Sequence, residues 1–496
     1  MVLVKANKRQ RLHRATLPVI LLISSVLHIH ADDSIKVSQA DLQALLQRVE
    51  RLEKAQTAVD ATTGATLKVG KQHPTPSDSV PAAQPQHRLT IGGYGEAVMT
   101  RNFYSDHFNR YSDPAGHAND RSSGQFDLPH VVVNLGYDFG HGWSMGTEIE
   151  FEHGGTESAV EIDPDEAGEY EAEVEKGGEV ALEQFWIQKQ FFPWLKLRAG
   201  EMVVPVGATN AHHLPTEFFT SYRPEGEMTL FPCTWHQLGI ALLGTYDTDK
   251  YQLGYEAQFL SGLDAERFGA EDFVHYGANS PYEFKIANTY AFAGRIDNTI
   301  KPAGLRLSVS GYVGNTFQNT QYVSRYNQRY DSIKGTLAIA SFDFAWKKFG
   351  VIMRGNVDYA HLGDARTMTK VFSSLPKHNQ QDGSPRTGQP IADAAFCGGV
   401  EVGYDIFHYI PALHEKRQQL IPFVRYEYYD PMFRNAYYKT SYVYTEKHRI
   451  AVGLNYYPIP DVVVKAEYSK RYLKAPYNHE PSVSISIAYS GWFELL

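Results

Sequence analysis

The residues of this chain that could bind an ion or a polar solute are concentrated in one irregular stretch, residues 204–234. This stretch is too rich in proline, glycine, histidine and threonine to form a regular element, and an insert of such length inside a compact domain is usually functional. Its candidate side chains are His212, His213, Glu217, Arg223 and Glu225. We predict that the insert folds into the surrounding domain and narrows its interior; an ordinary surface loop is the alternative.

These side chains form no recognisable catalytic or metal-binding motif. The His212–His213 pair has carboxylates nearby, but its spacing matches no defined metal site. The chain also lacks a nucleophile motif, a dinucleotide fingerprint and a phosphate loop. We therefore predict that the protein is not an enzyme and uses neither a metal nor a cofactor. An enzyme with its site in the mouth of the domain is a distant alternative.

The elements that must position the insert are strands. In residues 143–152, apolar residues such as Trp143 and Ile149 alternate with acids such as Glu148 and Glu150, which indicates a strand with one apolar face. We count sixteen such segments after residue 88, joined alternately by tight turns such as 140–142 and by long connections. An even strand number with this asymmetry predicts an all-β fold, a 16-stranded antiparallel transmembrane β-barrel. A soluble β-sandwich or β-propeller is the alternative.

The alternation also predicts which charges face the inside of the barrel. If the apolar positions face lipid, the intervening positions line the lumen, where charges of both signs stay hydrated. The predicted pore lining comprises Arg198, Arg295, Arg306, Arg354, Arg425, Lys465, Glu148 and Glu150. Rings of arginine and lysine favour anions and rings of acids favour cations. The alternative for any one of these arginines is a cross-strand ion pair that only holds the barrel open.

Composition agrees with a barrel of this kind. Mean hydropathy is −0.37 although aromatic residues make up 13% of the chain, as expected when only alternate residues meet lipid. Aromatic residues near strand ends, including Trp143, Trp194 and Tyr457, are predicted to form girdles at the membrane interfaces. The net charge of −9 argues against nucleic acid as a partner. Only Cys233 and Cys397 could form a disulfide.

The N-terminal region has three predicted parts. Residues 1–31 have a basic start, an apolar run and a small residue at the end, which is typical of a secretory signal peptide, with a retained anchor as the alternative. Residues 32–60 have heptad spacing and are predicted to form a short periplasmic coiled-coil helix, with a single docked helix as the alternative. Residues 61–88 are rich in proline and threonine and are predicted to be a linker before the barrel, residues 89–496.

Five segments of the chain resemble the phosphate-selective porin O/P family. They are IGGYGEAVM at 91–99, VVVNLGYDFGHGWSMGTEIEFEH at 131–153, LRAGEMVVPVGATNAHH at 197–213, WHQLGIALLGTY at 235–246 and IAVGLNYYPIPDVVVKAEYSKR at 450–471. The resemblance covers most of the chain after residue 88. It implies a 16-stranded homotrimeric porin whose inward loop constricts the channel, and some members of the family carry an N-terminal coiled coil before the barrel.

Together these patterns predict a trimeric porin in the outer membrane of a Gram-negative bacterium. Its partners would be outer-membrane lipid and the small hydrophilic solutes or ions that diffuse through it, including anionic, phosphate-like ones. The alternative is a structural protein, in which the barrel serves as an anchor and the coiled coil tethers it to the periplasm or the cell wall.

Overall fold

The computed structural model describes residues 88–107, 109–154, 158–162, 172–175, 179–278, 285–320, 330–374, 390–435 and 442–495. The predicted signal peptide, coiled coil and linker therefore lie outside the described residues, except for Arg88, and stay predictions. No helix within the described ranges is both long and apolar enough to cross a membrane.

Strands dominate the described chain. Their bounds are β1 Arg88–Asn102, β2 Gly124–Asp127, β3 His130–Gly140, β4 Trp143–Glu152, β5 Ser158–Ile162, β6 Ala172–Glu175, β7 Glu179–Phe192, β8 Leu195–Val203, β9 His236–Asp247, β10 Tyr251–Leu260, β11 Ala291–Ile300, β12 Leu305–Asn315, β13 Thr336–Lys348, β14 Val351–Leu362, β15 Ala394–Tyr404, β16 Gln419–Arg434, β17 Lys447–Ile459, β18 Val462–Tyr472 and β19 Glu480–Leu495. The described α-helices are Ala208–Ala211, Glu225–Leu230, Ala365–Ser373 and Pro411–His414, and short 3₁₀ turns occupy Ala265–Arg267, His275–Ala278, Lys301–Ala303, Phe317–Asn319, Ile406–Tyr409 and Val443–Thr445.

These strands close into a 16-stranded antiparallel β-barrel, as the alternation predicts. Each barrel strand pairs with the next along the chain, and β1 closes the barrel by pairing with β19 from Leu89 opposite Leu495 to Asn102 opposite Ser482. The short β2 pairs with the C-terminal part of β1, and β3 pairs with its N-terminal part. β2 and β3 therefore form one interrupted barrel strand. β5 and β6 form a separate hairpin between β4 and β7.

One end of the barrel carries tight turns and the other carries long connections. At the tight-turn end, residues 140–142 join β3 to β4; Gly142 has φ +77°, and a Cβ atom there would lie 2.5 Å from the Gln190 carbonyl oxygen. Residues 193–194 join β7 to β8 at the same end. The connection 405–418 is an exception, because it is long, partly helical and at the tight-turn end. The asymmetry predicted from the sequence otherwise agrees with the described connections.

The outer surface of the barrel is apolar and spans the membrane. Large apolar side chains are exposed at alternate positions of nearly every barrel strand, for example Leu238, Ile240 and Leu242 on β9. The intervening side chains point inward, and many of them are buried, as Ala241 and Gln237 are. A closed barrel leaves no unpaired strand edge in the hydrocarbon, which is the condition for strands to cross a bilayer.

Aromatic side chains cluster near the tight turns, as predicted for an interfacial girdle. Trp143, Phe191, Phe192 and Trp194 are all exposed on the outside there. Tyr457 is a correction to the predicted girdle: it is only 5% exposed, and its hydroxyl donates to the Thr216 carbonyl oxygen 3.3 Å away inside the barrel.

At the long-connection end, an apolar core fills part of the barrel interior. The connection between β10 and β11 contributes Phe268, Phe273 and Val274, which pack with Phe317 and with the helix Ala365–Ser373. This core also includes Leu230 and Phe231 of the insert. The described part of the β10–β11 connection and the helix Ala365–Ser373 therefore pack over the barrel interior.

We expect an arginine on the outer face to destabilise the barrel in a depth-dependent way. Val309 is exposed in the middle of β12 and Val313 is exposed on the same face near its end. Val309→Arg should cost about 2–4 kcal/mol and Val313→Arg about 0–1 kcal/mol, because the cost of a charge falls toward the interface. The measurement is the free energy of unfolding in lipid or detergent by urea titration. Equal costs at the two positions would contradict a membrane-embedded outer face.

Candidate pore constriction

The insert between β8 and β9 lies inside the barrel and reaches its far wall. Near its start, the Gly207 N–H donates to the Ser310 hydroxyl of β12 over 3.1 Å. Farther along, the Phe219 N–H donates to Glu401 of β15, and the Ser221 N–H donates to Glu467 of β18 over 2.7 Å. Because β8 and β18 lie on different sides of the barrel, the backbone of the insert crosses the lumen.

Side chains of the far wall also hold the carbonyl groups of the insert. The Lys465 ammonium donates to the carbonyl oxygens of Phe218 and Thr220 over 3.1 and 2.8 Å. The Asn455 amide donates to the Phe219 carbonyl oxygen over 3.0 Å. A buried backbone group without a partner is costly, so these wall residues are what allows an irregular segment to be buried.

The insert is also cross-linked to itself by two polar side chains. The Glu227 carboxylate accepts hydrogen bonds from the backbone N–H groups of Ala208 and Thr209 over 2.8 and 2.5 Å. The Asn210 amide donates to the carbonyl oxygens of Val206 and Pro232, and its own oxygen accepts from the Trp235 N–H. The first and last parts of the insert are thereby joined, which restricts its conformation.

A chain of ion pairs lines the same wall. Adjacent members have N–O distances between 2.5 and 3.1 Å, and the order is Arg354, Glu401, Arg425, Glu427, Arg449 and Glu467, from β14 to β18. A branch extends through Glu225 of the insert, whose carboxylate lies 3.7 Å from the Arg449 Nε and accepts from the Arg471 Nε over 2.7 Å. Arg425 therefore pairs with one carboxylate of the neighbouring strand, Glu401, and with one of its own strand, Glu427.

The predicted lining residues all lie on the inner side, but they differ in access. Arg295 is buried and pairs with Asp343 over 2.8 Å, and Lys465 is completely buried. Arg306 and Arg354 have side chains 24% and 27% exposed, and they form ion pairs with Asp343 and Glu401 respectively.

Arg198 differs from the other arginines of the predicted lining. Its guanidinium donates to the neutral amide oxygen of Gln188 over 2.9 Å and lies 4.1 Å from the centre of the Trp186 ring. Among the described residues no carboxylate lies within ion-pair distance of it. Arg198, Arg306 and Arg354 all lie near the tight-turn ends of β8, β12 and β14.

The five candidates in the insert do not form one ring. His212 lies 3.3 Å from the Arg306 Nη1 and 3.6 Å from the Glu217 carboxylate, so these two insert residues stand beside partly exposed wall arginines. Arg223 lies elsewhere, with its Nη2 3.2 Å from the Tyr94 hydroxyl of β1, and its Nε donates to the His213 carbonyl oxygen over 3.4 Å. Glu225 belongs to the ion-pair chain. The insert thus places three separate polar groups against three parts of the wall.

Parity along the strands missed one member of the wall, Glu183. A bulge in the pairing of β4 with β7 makes both Glu183 and Gln184 face inward, while Leu182 and Phe185 on either side are exposed. Glu183 thereby joins Glu148 and Glu150, and Gln184 donates to Glu148. Arg471 and Glu401 were also outside the predicted set, although both occupy inward positions of their strands by simple alternation.

Two titratable groups of the insert are strongly affected by their surroundings. Burial, reinforced by the nearby Arg223 guanidinium, lowers the pKa of His213 to about 4. Burial opposes ionisation of Glu225, but Arg471 and Arg449 outweigh it and hold the pKa of this carboxyl well below its usual value. His213 is therefore neutral and Glu225 anionic at pH 7.

The two cysteines are free thiols and do not form a disulfide with each other. The Cys233 sulfur lies 3.6 Å from the Arg223 Nη1. The Cys397 sulfur lies 3.4 Å from the Asp358 carboxylate on the wall.

No model of a protein family matches the chain. A curated protein similar to it is an uncharacterized protein from Aquifex aeolicus (strain VF5), 27% identical over 390 residues that make up 77% of this chain and 75% of that protein. The resemblance to the phosphate-selective porin O/P family stays a prediction.

Three solved structures similar to the chain each cover 82% of it. They are an anion-selective porin from Comamonas acidovorans (9% identity, TM-score 0.45, 100% of that chain), the outer membrane channel DcaP of Acinetobacter baumannii (10%, 0.42, 97%) and OmpF of Salmonella typhi in complex with daunomycin (10%, 0.45, 98%). The fold assignment itself rests on the strand pairing described above.

We expect Lys465→Met to loosen the insert. The substitution removes a charged donor from two buried carbonyl groups, and each lost bond should cost about 1.5–3 kcal/mol. The measurement is the free energy of unfolding, together with limited proteolysis of the folded protein within residues 204–235. Lys470→Met is the matched control on β18, because Lys470 lies on the other face beside Tyr472; it should change stability by less than about 0.5 kcal/mol. Equal effects at both lysines would disprove the anchoring role.

We also expect a pH dependence that originates at His213. The pKa of His213 is about 4 in the folded protein and about 6.5 in the unfolded chain. Its contribution to stability is therefore fully present above pH 6.5 and is lost as the pH falls from about 6.5 to 4. The groups facing His213 are Arg223, Glu183, Glu217 and the Tyr94 ring. Glu225 contributes at lower pH, because its stabilisation declines only below about 4.5.

The measurement is the urea midpoint as a function of pH for the natural protein and His213→Gln. The variant should have a shallower slope between pH 6.5 and 4, whereas His141→Gln in an exposed tight turn should keep the slope of the natural protein. An unchanged slope in His213→Gln would exclude this histidine as its source.

Proposed function

We propose that the protein is an outer-membrane porin through which small hydrophilic solutes diffuse passively. The observation that carries the proposal is a polar insert that crosses the interior of a barrel whose outside is apolar. Its partly exposed side chains His212 and Glu217 stand beside the partly exposed Arg306 and Arg354. This arrangement places charged groups at a narrow point of the barrel interior, which fits selection by size and charge.

The partly exposed arginines support a preference for small anions, including phosphate-like ones. Arg198 donates to a neutral amide, so its charge is available to a passing anion, and Arg306 and Arg354 have exposed edges near the same end of the barrel. Guanidinium groups bind oxyanions through paired N–H donors. The buried arginines, by contrast, are neutralised by their carboxylate partners and contribute little to selection.

The proposal extends to assembly and location. The heptad pattern of residues 32–60 favours a trimer, with three barrels joined by a periplasmic coiled coil. Because β1 begins at the tight-turn end, that end would then face the periplasm and the long connections would face outward. Residues 1–31 would direct the chain through the inner membrane.

The test is conductance of purified protein in a planar bilayer under a salt gradient. We expect steps in groups of three, a reversal potential that indicates anion selectivity, and partial block by phosphate. Arg198→Gln should shift the reversal potential toward zero and weaken the block, because it removes the one lining arginine that has no acidic partner among the described residues. Arg101→Gln is the control, since Arg101 is exposed on the outer side of β1.

The outcomes separate the parts of the proposal. Conductance with cation selectivity would contradict the anion preference and leave the passive pore. Well-folded, heat-modifiable protein without conductance would contradict the pore and favour the anchoring alternative. Single steps in place of triplets would contradict the trimer.

A further inference from the structure

A second polar cluster lies in the barrel, near the long-connection end and apart from Arg198, Arg306 and Arg354, which lie near the tight-turn end. His130 begins β3, and its cross-strand partner is Glu152 at the end of β4. Glu150 lies two residues before Glu152 and faces inward with it. One ring nitrogen of His130 and one carboxylate oxygen each of Glu150 and Glu152 lie within 4.8 Å of one another. Small side-chain rotations would bring these atoms to the spacing of ligands around one ion.

A neighbouring carboxylate orients the imidazole of His130. The ring Nδ1 lies 2.8 Å from the Glu96 Oε1, and both side chains are buried. A carboxylate accepts only, so Nδ1 carries the proton and donates it in this hydrogen bond. Nε2 then presents a lone pair. A carboxylate that fixes the tautomer of a histidine in this way is the usual outer partner of a metal-ligating imidazole.

The carboxylates of the cluster provide an independent indication of a cation. Glu150 is only 2% exposed, and its Oε1 has no hydrogen-bond partner among the described residues. Glu148 is also buried, and its Oε1 likewise has no hydrogen-bond partner among the described residues. The nearby Glu183 carboxylate acts electrostatically on both Glu148 and Glu150. Burying unpaired carboxylates is costly unless a proton or a cation neutralises them. Arg223 is a nearby cation in the described structure, but its single positive charge faces the carboxyl groups of Glu148, Glu150 and Glu183.

We propose that His130, Glu150 and Glu152 bind a divalent transition-metal cation. The mixed imidazole and carboxylate donors match zinc or a similar ion better than calcium or magnesium, which prefer oxygen ligands alone. Glu152 is only half-buried, so the site opens toward the lumen on its side. The bound ion would neutralise the acids of this wall. The proposal concerns a fixed site in the folded barrel and does not depend on what passes through it.

The test is equilibrium dialysis of zinc ions against the folded, detergent-solubilised protein at pH 7, with heat-modifiability on gels as the check of folding. We expect one zinc ion per chain. His130→Gln and Glu150→Gln should each abolish this binding. Glu96→Gln, which leaves all three ligands in place, should weaken it by about 10- to 100-fold because the imidazole loses its orienting partner.

His153→Gln is the matched control, because His153 follows Glu152 directly but is exposed and pairs with Asp127. It should bind zinc as the natural protein does. Three results would overturn the proposal: no zinc binding by the folded natural protein, equal loss in His153→Gln and His130→Gln, or calcium binding as tight as zinc that His130→Gln leaves unchanged. Because dialysis reports binding whether or not the barrel conducts, a failure here is distinct from a failure of the proposed porin function.

Discussion

The structure depends on satisfying the backbone of an irregular segment buried inside a barrel. A barrel strand pairs with its neighbours, but the insert has no strand partner, so each of its buried N–H and C=O groups requires another solution. The wall supplies it through charged and polar side chains, among them Lys465, Asn455 and Glu467. Without these partners, each buried backbone group left unsatisfied would cost about 1–3 kcal/mol.

The same wall carries out a second task with the same residues. Glu401 and Glu467 accept hydrogen bonds from the insert backbone and also pair with arginines of neighbouring strands. Each acid therefore offsets the desolvation cost of a buried arginine and also anchors the insert. Because one carboxylate serves both purposes, fewer side chains must be ordered than if each contact had its own pair. The arginines of the wall therefore differ: Arg425 and Arg449 are paired with carboxylates, whereas Arg198 donates to the Gln188 amide and has no carboxylate within ion-pair distance among the described residues.

Much of the architecture could be predicted because strand alternation is a local property. Lipid outside and polar lumen inside select residue types with a period of two, so Leu238, Ile240 and Leu242 could be assigned to the outer face without any tertiary information. The method fails where the period is interrupted. Glu183 is the extra residue of a bulge in the pairing of β4 with β7. Tyr457, by contrast, occupies an inward position of β17 by the same alternation as Arg449 and Asn455.

The sequence by itself determined the class of fold, the number of barrel strands, the inward position of the lining charges and the place of the insert along the chain. Only the tertiary structure decided which charges neutralise one another. Glu225 meets Arg471 across 246 positions of sequence, and Arg223 meets Tyr94 across 129. Such contacts follow from the closure of the barrel and from the path of the insert through it. The hydrophobic pattern and the residue spacing do not contain this information, because they show only which face of its own strand a residue occupies.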